Sequence, residues 1–364
     1  MTVVVPTYRQ PLFLIEALES ILTGSYSDFE VLVVNDGAED DLAPARARLT
    51  DSRIRWITRP KRLGILANNV DAFRLARGEF IAHLDGDDRW APGMLSTLVP
   101  IVERHPDVVV AFADHFVMDE AGVANEAESD VNSRVWGRAT LAEGIHRSFG
   151  RLAVVDRSIP LMCASVFRRS ALRLGEYPEQ VGCCWDIWTS HLLARGGGAA
   201  WYVPQRLAFY RWHAGNYSIT QVEAALLDWI YCFEQFLKDD TLVASRADLK
   251  KQLSAAQFRL ATRLLPLPPL RVEAWMRGDA GHLHRAFDLT LLPVVSRRRV
   301  TGRAVVSLKR AVRRLLFPLL EVQSSLNGAN ARVATAVLQQ LAAQGRRIEE
   351  LERRIEELGA QRGG

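Results

Sequence analysis

Three carboxylates cluster directly after a predicted buried strand, and this cluster constrains both the fold and the function of the chain. The sequence Leu84-Asp85-Gly86-Asp87-Asp88 follows the mainly apolar segment 79–83. Like charges this close repel and raise one another's pKa, which a protein tolerates where a cation binds. Carboxylate oxygens suit Mg²⁺ or Mn²⁺, and these ions in turn hold phosphate oxygens. The alternative is an ordinary surface turn, because Asp and Gly are common turn residues.

Strand and helix patterns alternate over the first 115 residues. The predicted strands lie at 3–5, 30–34, 53–57 and 80–84, and the predicted helices at 11–22 and 64–77. Such alternation predicts an α/β fold with a parallel sheet that helices cover on both faces. Ligands of such sheets bind at the carboxyl ends of the strands. Asp36 and Asp85 both follow predicted strands, so we expect both at that edge.

The chain is less regular after residue 115. Segments 160–167 and 202–212 have strand character, 186–195 has helix character, and 221–296 is helical in pattern. No apolar run approaches the roughly 18 residues that a transmembrane helix needs, and no leader-like segment precedes the first strand. The four cysteines lack metal-site spacing. We therefore expect a cytoplasmic protein.

One short segment carries most of the net charge of +4. Residues 1–296 hold 32 Lys and Arg against 36 Asp and Glu, whereas 297–317 hold eight basic residues and no acidic ones. Within it, 304–317 combine basic and apolar positions, which favours peripheral contact with the inner face of an anionic membrane. A helix packed on the protein body is the alternative. Clustered arginines also attract nucleic acid, but no interleaved aromatic residues support such a partner, and we expect none.

Residues 333–358 carry a heptad pattern. Its a and d positions are Ala334, Val337, Leu341, Gln344, Ile348, Leu351, Ile355 and Leu358. Arg347 and Glu352 then occupy g and the following e′, the register of an interhelical ion pair. We expect a homo-oligomer through this coiled coil, either a dimer or a trimer. A lone amphipathic helix is the alternative.

Several motifs together resemble the family 2 glycosyltransferases, which have the GT-A fold. They are Val3-Val4-Val5-Pro6-Thr7-Tyr8, Val33-Val34-Asn35-Asp36-Gly37, the segments 64–69, 78–88 and 165–172, and Tyr210-Arg211-Trp212-His213. Their order and spacing cover about residues 1–220. The resemblance implies a nucleotide-sugar-binding half at 1–115 and an acceptor-binding half at 116–220. A helical extension at 221–296, a basic amphipathic segment at 297–320 and a coiled coil at 325–364 would follow.

The resemblance implies a nucleotide-diphosphate sugar as donor, with a UDP-sugar favoured. The implied nucleotide-sugar-binding residues are Pro6, Thr7, Tyr8, Asp36, Asn68, Asp85 and Arg211. Asp36 would accept a hydrogen bond from the base, the alternative being an ordinary Asn-Asp-Gly turn. Arg211 would hold phosphate, the alternative being a solvated side chain.

A divalent cation, Mn²⁺ or Mg²⁺, is the implied cofactor. Asp87 and Asp85 would bind it, and His213 would bind it or contact the diphosphate. The alternative for His213 is a hydrogen-bonded histidine at a strand end. Asp88 could instead cap the helix that follows it.

The general base is the least certain residue of the implied site. Family members usually have a Glu-Asp pair where this chain has Cys183-Cys184, and Asp186 matches a later Asp of the family pattern. We predict Asp186 as the base, with Glu176 and Glu179 as fallbacks and a helix N-cap as its alternative. A thiol suits the role poorly.

Together these features predict a metal-dependent, inverting glycosyltransferase of cell-surface polysaccharide or glycolipid synthesis, acting on a saccharide or lipid-linked acceptor. A catalytically silent nucleotide-sugar-binding scaffold is the first alternative, because the acidic pair is missing. A nucleotidyltransferase would need a glycine-rich loop after the first strand, and Pro6-Thr7-Tyr8-Arg9-Gln10 does not provide one.

Overall fold

The computed structural model describes residues 1–37 and 42–264. Its strands are β1 Thr2–Thr7, β2 Glu30–Asn35, β3 Ile54–Thr58, β4 Phe80–His83, β5 Arg89–Trp90, β6 Val108–Met118, β7 Ala124–Asn125, β8 Gly144–Arg147, β9 Ser165–Arg168 and β10 Ala199–Arg211. Its helices are α1 Pro11–Leu22, α2 Ala43–Arg48, α3 Ile65–Leu75, α4 Met94–Arg104, α5 Glu126–Val135, α6 Gly150–Val154, α7 Trp185–Arg195, α8 Tyr217–Thr220, α9 Val222–Phe236 and α10 Arg246–Leu264. A 3₁₀ segment, Glu179–Cys184, leads into α7.

The chain divides into two units, Met1–Leu253 and Ser254–Gly364, and everything that follows concerns the first. The basic segment 297–320 with its membrane-contact region 304–317, the coiled coil 325–364 with its heptads at 333–358, and the end of the helical extension lie outside the described residues. Among the helices that are described, none combines the length and the apolar character needed to cross a membrane.

The strands form one mixed sheet in the order β3-β2-β1-β4-β9-β6-β10-β5. The pairs β1–β2, β2–β3 and β1–β4 are parallel, which confirms the predicted parallel arrangement for the first four strands. The sheet as a whole is not parallel, because β9 runs antiparallel to both β4 and β6. The chain between β6 and β9 starts and ends at the carboxyl edge of β4, so β9 must run back away from that edge.

The core lies on both faces of the central strands. Val3, Val4 and Val5 of β1 are fully buried, and the inner sides of α1 and α4 cover the sheet through residues such as Leu18 and Leu98. Burial on both faces explains why β1 and β2 are continuous apolar runs rather than alternating ones. Helix α1 has the predicted bounds, and its first turn begins with Pro11, a favourable residue there.

One segment differs from the sequence-based expectations. Residues 160–164 are not a strand, because the amides of Cys163 and Ala164 both donate to the carbonyl of Pro160 and form a turn. The strand therefore begins only at Ser165. The predicted division at residue 115 remains a prediction, and β6 runs across that position.

Gly78 offers a test of how tightly the start of β1 is packed. A Cβ at Gly78 would lie 2.4–2.5 Å from backbone atoms of Met1 and Thr2, whereas a Cβ at Gly175 would meet nothing within 4 Å. We expect Gly78→Ala to lower the free energy of unfolding by about 2 kcal/mol, because backbone cannot move aside cheaply. Gly175→Ala is the control and should change it by less than about 1 kcal/mol. Urea denaturation measures both, and equal stabilities of the two variants would contradict the packing described.

Candidate functional site

The three carboxylates of the 84–88 segment do converge. One carboxylate oxygen from each of Asp85, Asp87 and Asp88 lies within 4.8 Å of the others. The turn that brings them together closes with a 3.0 Å hydrogen bond from the Asp88 amide to the Asp85 carbonyl. Gly86 lets this turn approach β1, because a Cβ there would lie 2.9 Å from the carbonyl oxygen of Pro6. The cluster therefore sits where β1 and β4 end.

Burial and mutual repulsion make this cluster unfavourable without a counter-charge. Burial, followed by the charges of Asp87 and Asp186, raises the pKa of Asp85 well above its usual range. Burial and the charges of Asp87 and Asp85 do the same to the pKa of Asp88. In addition, one carboxylate oxygen of Asp88, Oδ2, is buried without a hydrogen-bond partner among the described residues. A divalent cation would neutralise these charges and satisfy that oxygen, so the residues fit the implied metal.

His213 completes the polar side of the cluster. Its Nε2 lies 3.0 Å from Oδ2 of Asp87, and its Nδ1 accepts a 3.1 Å hydrogen bond from the amide of Gly215. Because Nδ1 accepts, the proton of the neutral ring is on Nε2 and is donated to Asp87. The ring is nearly buried and packs on Phe13 at 5.3 Å. The structure therefore joins His213 to a predicted metal-binding residue across 126 positions of sequence.

Arg211 is fully buried, so the alternative of a solvated side chain is wrong. Its Nε donates to the carbonyl of Asp87 at 2.7 Å, one terminal nitrogen to the carbonyl of Glu120 at 2.8 Å, and the other to Glu16 at 2.7 Å. Its amide donates to Oδ1 of Asp88 at 2.8 Å. These contacts hold the carboxylate turn in place. Phosphate binding by Arg211 stays a prediction.

Asp88 does not cap a helix. Its Oδ1 accepts from the Arg211 amide, and the residue preceding α4 is Gly93, with no side-chain cap. The short strand β5 intervenes between Asp88 and that helix. Asp88 thus lies in the carboxylate cluster with Asp85 and Asp87, the two aspartates predicted as metal ligands.

The nucleotide side of the site contains a second buried carboxylate. Asp36 accepts hydrogen bonds from the amides of Leu63 at 2.7 Å and Gly64 at 2.9 Å, one on each carboxylate oxygen. This fixes the loop before α3 against the end of β2. Each carboxylate oxygen has a further lone pair, so the contact with a base that the resemblance implies remains chemically open to Asp36.

Tyr8 and the residues around it form the surface where a base would lie. The guanidinium of Arg62 lies 4.3 Å from the Tyr8 ring centroid, and that of Arg9 lies 5.0 Å away. The hydroxyl of Thr7 is buried and has no hydrogen-bond partner in the described part of the chain. Pro6 is half-buried beside it. Arg62 was not singled out from the sequence, although it stands just before the Gly64 turn.

Asn68 faces the interior instead of a cleft. Its Nδ2 donates to the Val34 carbonyl at 3.3 Å, and its Oδ1 accepts from Nε of Arg59 at 3.1 Å. The residue is 2% exposed. Both ends of the amide thus have protein partners, which support a role in joining α3 to β2. Nucleotide contact by Asn68 stays a prediction.

Asp186 lies in the first turn of α7. After burial and the charge of Asp87, the charge of Asp186 also contributes to the raised pKa of Asp85, so the two carboxylates interact electrostatically. Burial raises the pKa of Asp186 itself, partly opposed by hydrogen bonds to backbone amides and by the charge of Arg157. The α7 N-cap is Cys184, without a side-chain cap. A carboxylate with a raised pKa beside a metal site suits a general base.

The fallback carboxylate Glu176 is placed differently. It pairs with Arg173 and Arg195 on the surface, and its hydrogen bond to Arg195 helps to lower its pKa. A carboxylate held ionised by two arginines is a weak proton acceptor. Glu179 is exposed at the start of the 3₁₀ segment before α7. The geometry therefore favours Asp186 over both.

The contacts of Arg211 can be tested without reference to any ligand. Lysine cannot make the three divergent side-chain contacts of Arg211, so we expect Arg211→Lys to lower the free energy of unfolding by about 3 kcal/mol. Glu16→Gln is the control, because it keeps a hydrogen-bond acceptor at a half-exposed site and should cost less than about 1 kcal/mol. Urea denaturation monitored by tryptophan fluorescence gives both values. An Arg211→Lys variant as stable as the original chain would show that the turn does not depend on this side chain.

Comparisons with known proteins agree with this geometry. The model of the family described as "Glycosyl transferase family 2" matches residues 2–173. A putative colanic acid biosynthesis glycosyl transferase, WcaA of Escherichia coli K12, is 32% identical over 119 residues, which are 32% of this chain and 43% of that protein. An uncharacterized protein of Mycobacterium tuberculosis H37Rv is 28% identical over 221 residues, 59% of each chain. This chain therefore spans less than two thirds of either relative.

Solved structures show the same fold at low sequence identity. TarS 1-349 of S. aureus has a TM-score of 0.52 and 15% identity, covering 75% of each chain. A mannosyltransferase of Pyrobaculum calidifontis, in complex with GDP-Man and Mn²⁺, has a TM-score of 0.52 and 21% identity, covering 71% of this chain and 74% of that one. The α/β fold of these glycosyltransferases, the GT-A type, is thus confirmed. Residues 2–173 of the chain thus match glycosyl transferase family 2.

Proposed function

We propose that this protein transfers a sugar from a nucleotide-diphosphate sugar to an acceptor hydroxyl and that it needs a divalent cation to do so. The observation that carries the proposal is the convergence of Asp85, Asp87 and Asp88 at the edge of the sheet, with His213 hydrogen-bonded to Asp87. The charge of Asp186 also acts on Asp85. The match to the family supports the reaction class.

Asp85, Asp87, Asp88 and His213 would hold the cation, Mn²⁺ or Mg²⁺. When bound, such a cation neutralises the negative charge that develops on the diphosphate leaving group. The unpartnered Oδ2 of Asp88 supports a ligand at this point. The neighbouring mannosyltransferase carries Mn²⁺ in its complex, which favours Mn²⁺ as the first ion to test.

The donor would lie between the cluster and Tyr8. Asp36, Thr7 and the Tyr8 ring would contact the nucleoside, and Arg62 would add positive charge beside the diphosphate. A UDP-sugar remains the preferred donor. The relative from Pyrobaculum calidifontis binds GDP-Man, so guanosine is the main alternative base.

Asp186 would act as the general base. The acceptor hydroxyl gives its proton to this carboxylate, and its oxygen forms a bond to the anomeric carbon of the donor. The bond from that carbon to the diphosphate oxygen breaks, and the electron pair leaves with the nucleoside diphosphate. A single displacement of this kind inverts the anomeric centre, and no second carboxylate nucleophile is required.

The acceptor is proposed to be a saccharide or a lipid-linked saccharide of the cell surface. The name of the WcaA relative refers to colanic acid biosynthesis, which supports this class. Peripheral membrane contact through 304–317 and self-association through 333–358 are proposals that rest on the sequence alone. A silent nucleotide-sugar-binding scaffold is the competing function, and the position of Asp186 beside Asp85 favours the enzyme.

Donor binding provides the first test. We expect calorimetric titration with UDP-GlcNAc, GDP-Man and related nucleotide-sugars to show binding of one donor that requires Mn²⁺. Asp87→Ala should abolish the donor binding that requires Mn²⁺, because it removes both a proposed cation ligand and the hydrogen-bond partner of His213. Asp240→Ala is the control, since Asp240 is 94% exposed. Metal-dependent binding that survives Asp87→Ala would contradict the assignment of the cation site.

Transfer provides the second test. We expect Asp186→Asn to leave donor binding intact and to lower kcat by about 10²–10⁴-fold, the usual contribution of a general base. A base works in its deprotonated form, so the kcat of the original chain should fall as pH drops through the pKa of Asp186. Because burial raises that pKa, the fall should occur above the ordinary value of 3.8. Full activity of Asp186→Asn would show that another residue is the general base.

A further inference from the structure

Helix α9 lies beyond the segment matched by the family model, yet two of its neighbouring residues reach the chain around Asp186. Oδ2 of Asp228 accepts a 2.8 Å hydrogen bond from the amide of Cys183. The Trp229 ring centroid lies 4.9 Å from the guanidinium of Arg157, whose charge acts on Asp186. The helix thus contacts both the approach to α7 and a neighbour of the proposed base.

Gly182 and Asp228 fit each other in a way that only glycine allows. Gly182 has φ +50° and ψ −125°, a conformation that residues with a side chain rarely adopt. A Cβ at this position would lie 2.1 Å from Oδ2 and 2.4 Å from Cγ of Asp228. The carboxylate therefore occupies the space that a side chain would fill. Its approach to the backbone depends on the absence of that side chain.

Asp228 is half-buried and carries a charge without a cationic partner. The ion pairs found among residues 1–37 and 42–264 do not include it, and its hydrogen bonds come from the amide and the thiol of Cys183. Burial raises its pKa. A carboxylate kept from water is unfavourable unless its contacts compensate. These contacts are directed at one peptide, the one between Gly182 and Cys183.

That peptide leads directly into the first turn of α7. Cys184 and Trp185 follow it and are buried, with exposures of 1% and 3%, so a displacement of the peptide carries over to the helix start. Asp186 is the next residue, and its charge acts on Asp85. Displacements of about 1 Å in a catalytic group cost about 10²-fold in rate. Loss of the hydrogen bond from the Cys183 amide to Asp228 would therefore be expected to change the rate of sugar transfer.

We propose that Asp228 is a positioning residue for sugar transfer: its carboxylate fixes the Gly182–Cys183 peptide and so sets the position of Asp186 relative to Asp85. This proposal rests on the transferase function proposed above. Helix α9 then forms part of the catalytic unit, although it lies outside the segment that the family model matches. Asp228 acts through hydrogen bonding and not through proton transfer.

The test compares Asp228→Ala, which removes the hydrogen-bond acceptor, with Asp228→Asn, which keeps an acceptor oxygen but loses the charge. Glu234→Ala is the matched control, an exposed acidic residue on the same helix. Binding of UDP with MnCl₂ is measured by calorimetry, and kcat and KM are measured with the nucleotide-sugar that the donor titration identifies. The rate at which N-ethylmaleimide alkylates Cys183, followed by mass spectrometry of the digested protein, measures how accessible the chain is at the Gly182–Cys183 peptide bond. The buried Cys184 is its internal reference.

We expect Asp228→Ala to lower kcat by about 10-fold or more. UDP binding should stay unchanged, because the substitution alters none of the residues proposed to bind the metal or the nucleotide. Asp228→Asn should retain kcat within about threefold. Alkylation of Cys183 should be at least about fivefold faster in Asp228→Ala than in Asp228→Asn, because both variants remove the charge beside the thiol and only the alanine releases the peptide. Glu234→Ala should match the original chain in every measurement.

The outcomes separate this proposal from the function on which it rests. If the original chain binds no nucleotide-sugar, the transferase proposal fails and the positioning role fails with it, whatever the alkylation rate. If the chain binds and transfers but Asp228→Ala keeps full kcat, the positioning role alone is overturned. A kcat lost equally in Asp228→Asn and Asp228→Ala would also overturn it, because the charge and not the hydrogen bond would then matter. If Asp228→Ala does not fold, Asp228→Ser, with a shorter hydroxyl acceptor, takes its place under the same criteria.

Discussion

Repulsion among the carboxylates of the 85–88 turn is the constraint on which the site depends. Asp88 is buried and Asp85 is partly exposed, and the pKa of each is raised by burial and by the charges of its neighbours. Arg211 holds this arrangement, since one side chain ties the turn to α1 through Glu16 and to the end of β6 through Glu120. The fold keeps three acidic groups together because the Arg211 guanidinium is fixed against their turn. A divalent cation, if bound, would reduce the remaining repulsion between them.

Local patterns predicted the first four strands and helices α1 and α3 well, whereas the short helix α2 between β2 and β3 was not predicted. Each of these elements has its own periodicity, and each ends at a glycine or polar residue that marks the boundary, as at Asp36 and Asp85. The antiparallel β9 was not foreseen, since strand direction depends on where the intervening chain enters the sheet. The false strand at 160–164 has the same origin, because an apolar composition does not reveal a turn closed on Pro160.

The candidate site was predictable only where its residues lie in one motif. Asp85 and Asp87 follow directly from the 84–88 segment, and His213 followed from a resemblance and not from spacing. Asp88 was assigned an alternative role as a cap because its true partner, the Arg211 amide, lies 123 positions away. Asp228 carried no sequence signal, since its value depends on Gly182, 46 positions earlier, leaving room for it. Sequence patterns do not predict contacts between segments that are far apart in the chain.

The hydrogen bond from Gly215 to Nδ1 of His213 links occupancy of the cation site to a loop. With Nδ1 accepting, Nε2 keeps its proton and points it at Asp87. A cation bound at Nε2 would need that lone pair, so the ring proton would have to sit on Nδ1, where it would point at the Gly215 amide. The ring and this amide could then no longer keep their hydrogen bond. The position of the loop after His213, which leads into α8, would therefore depend on whether the site holds an ion.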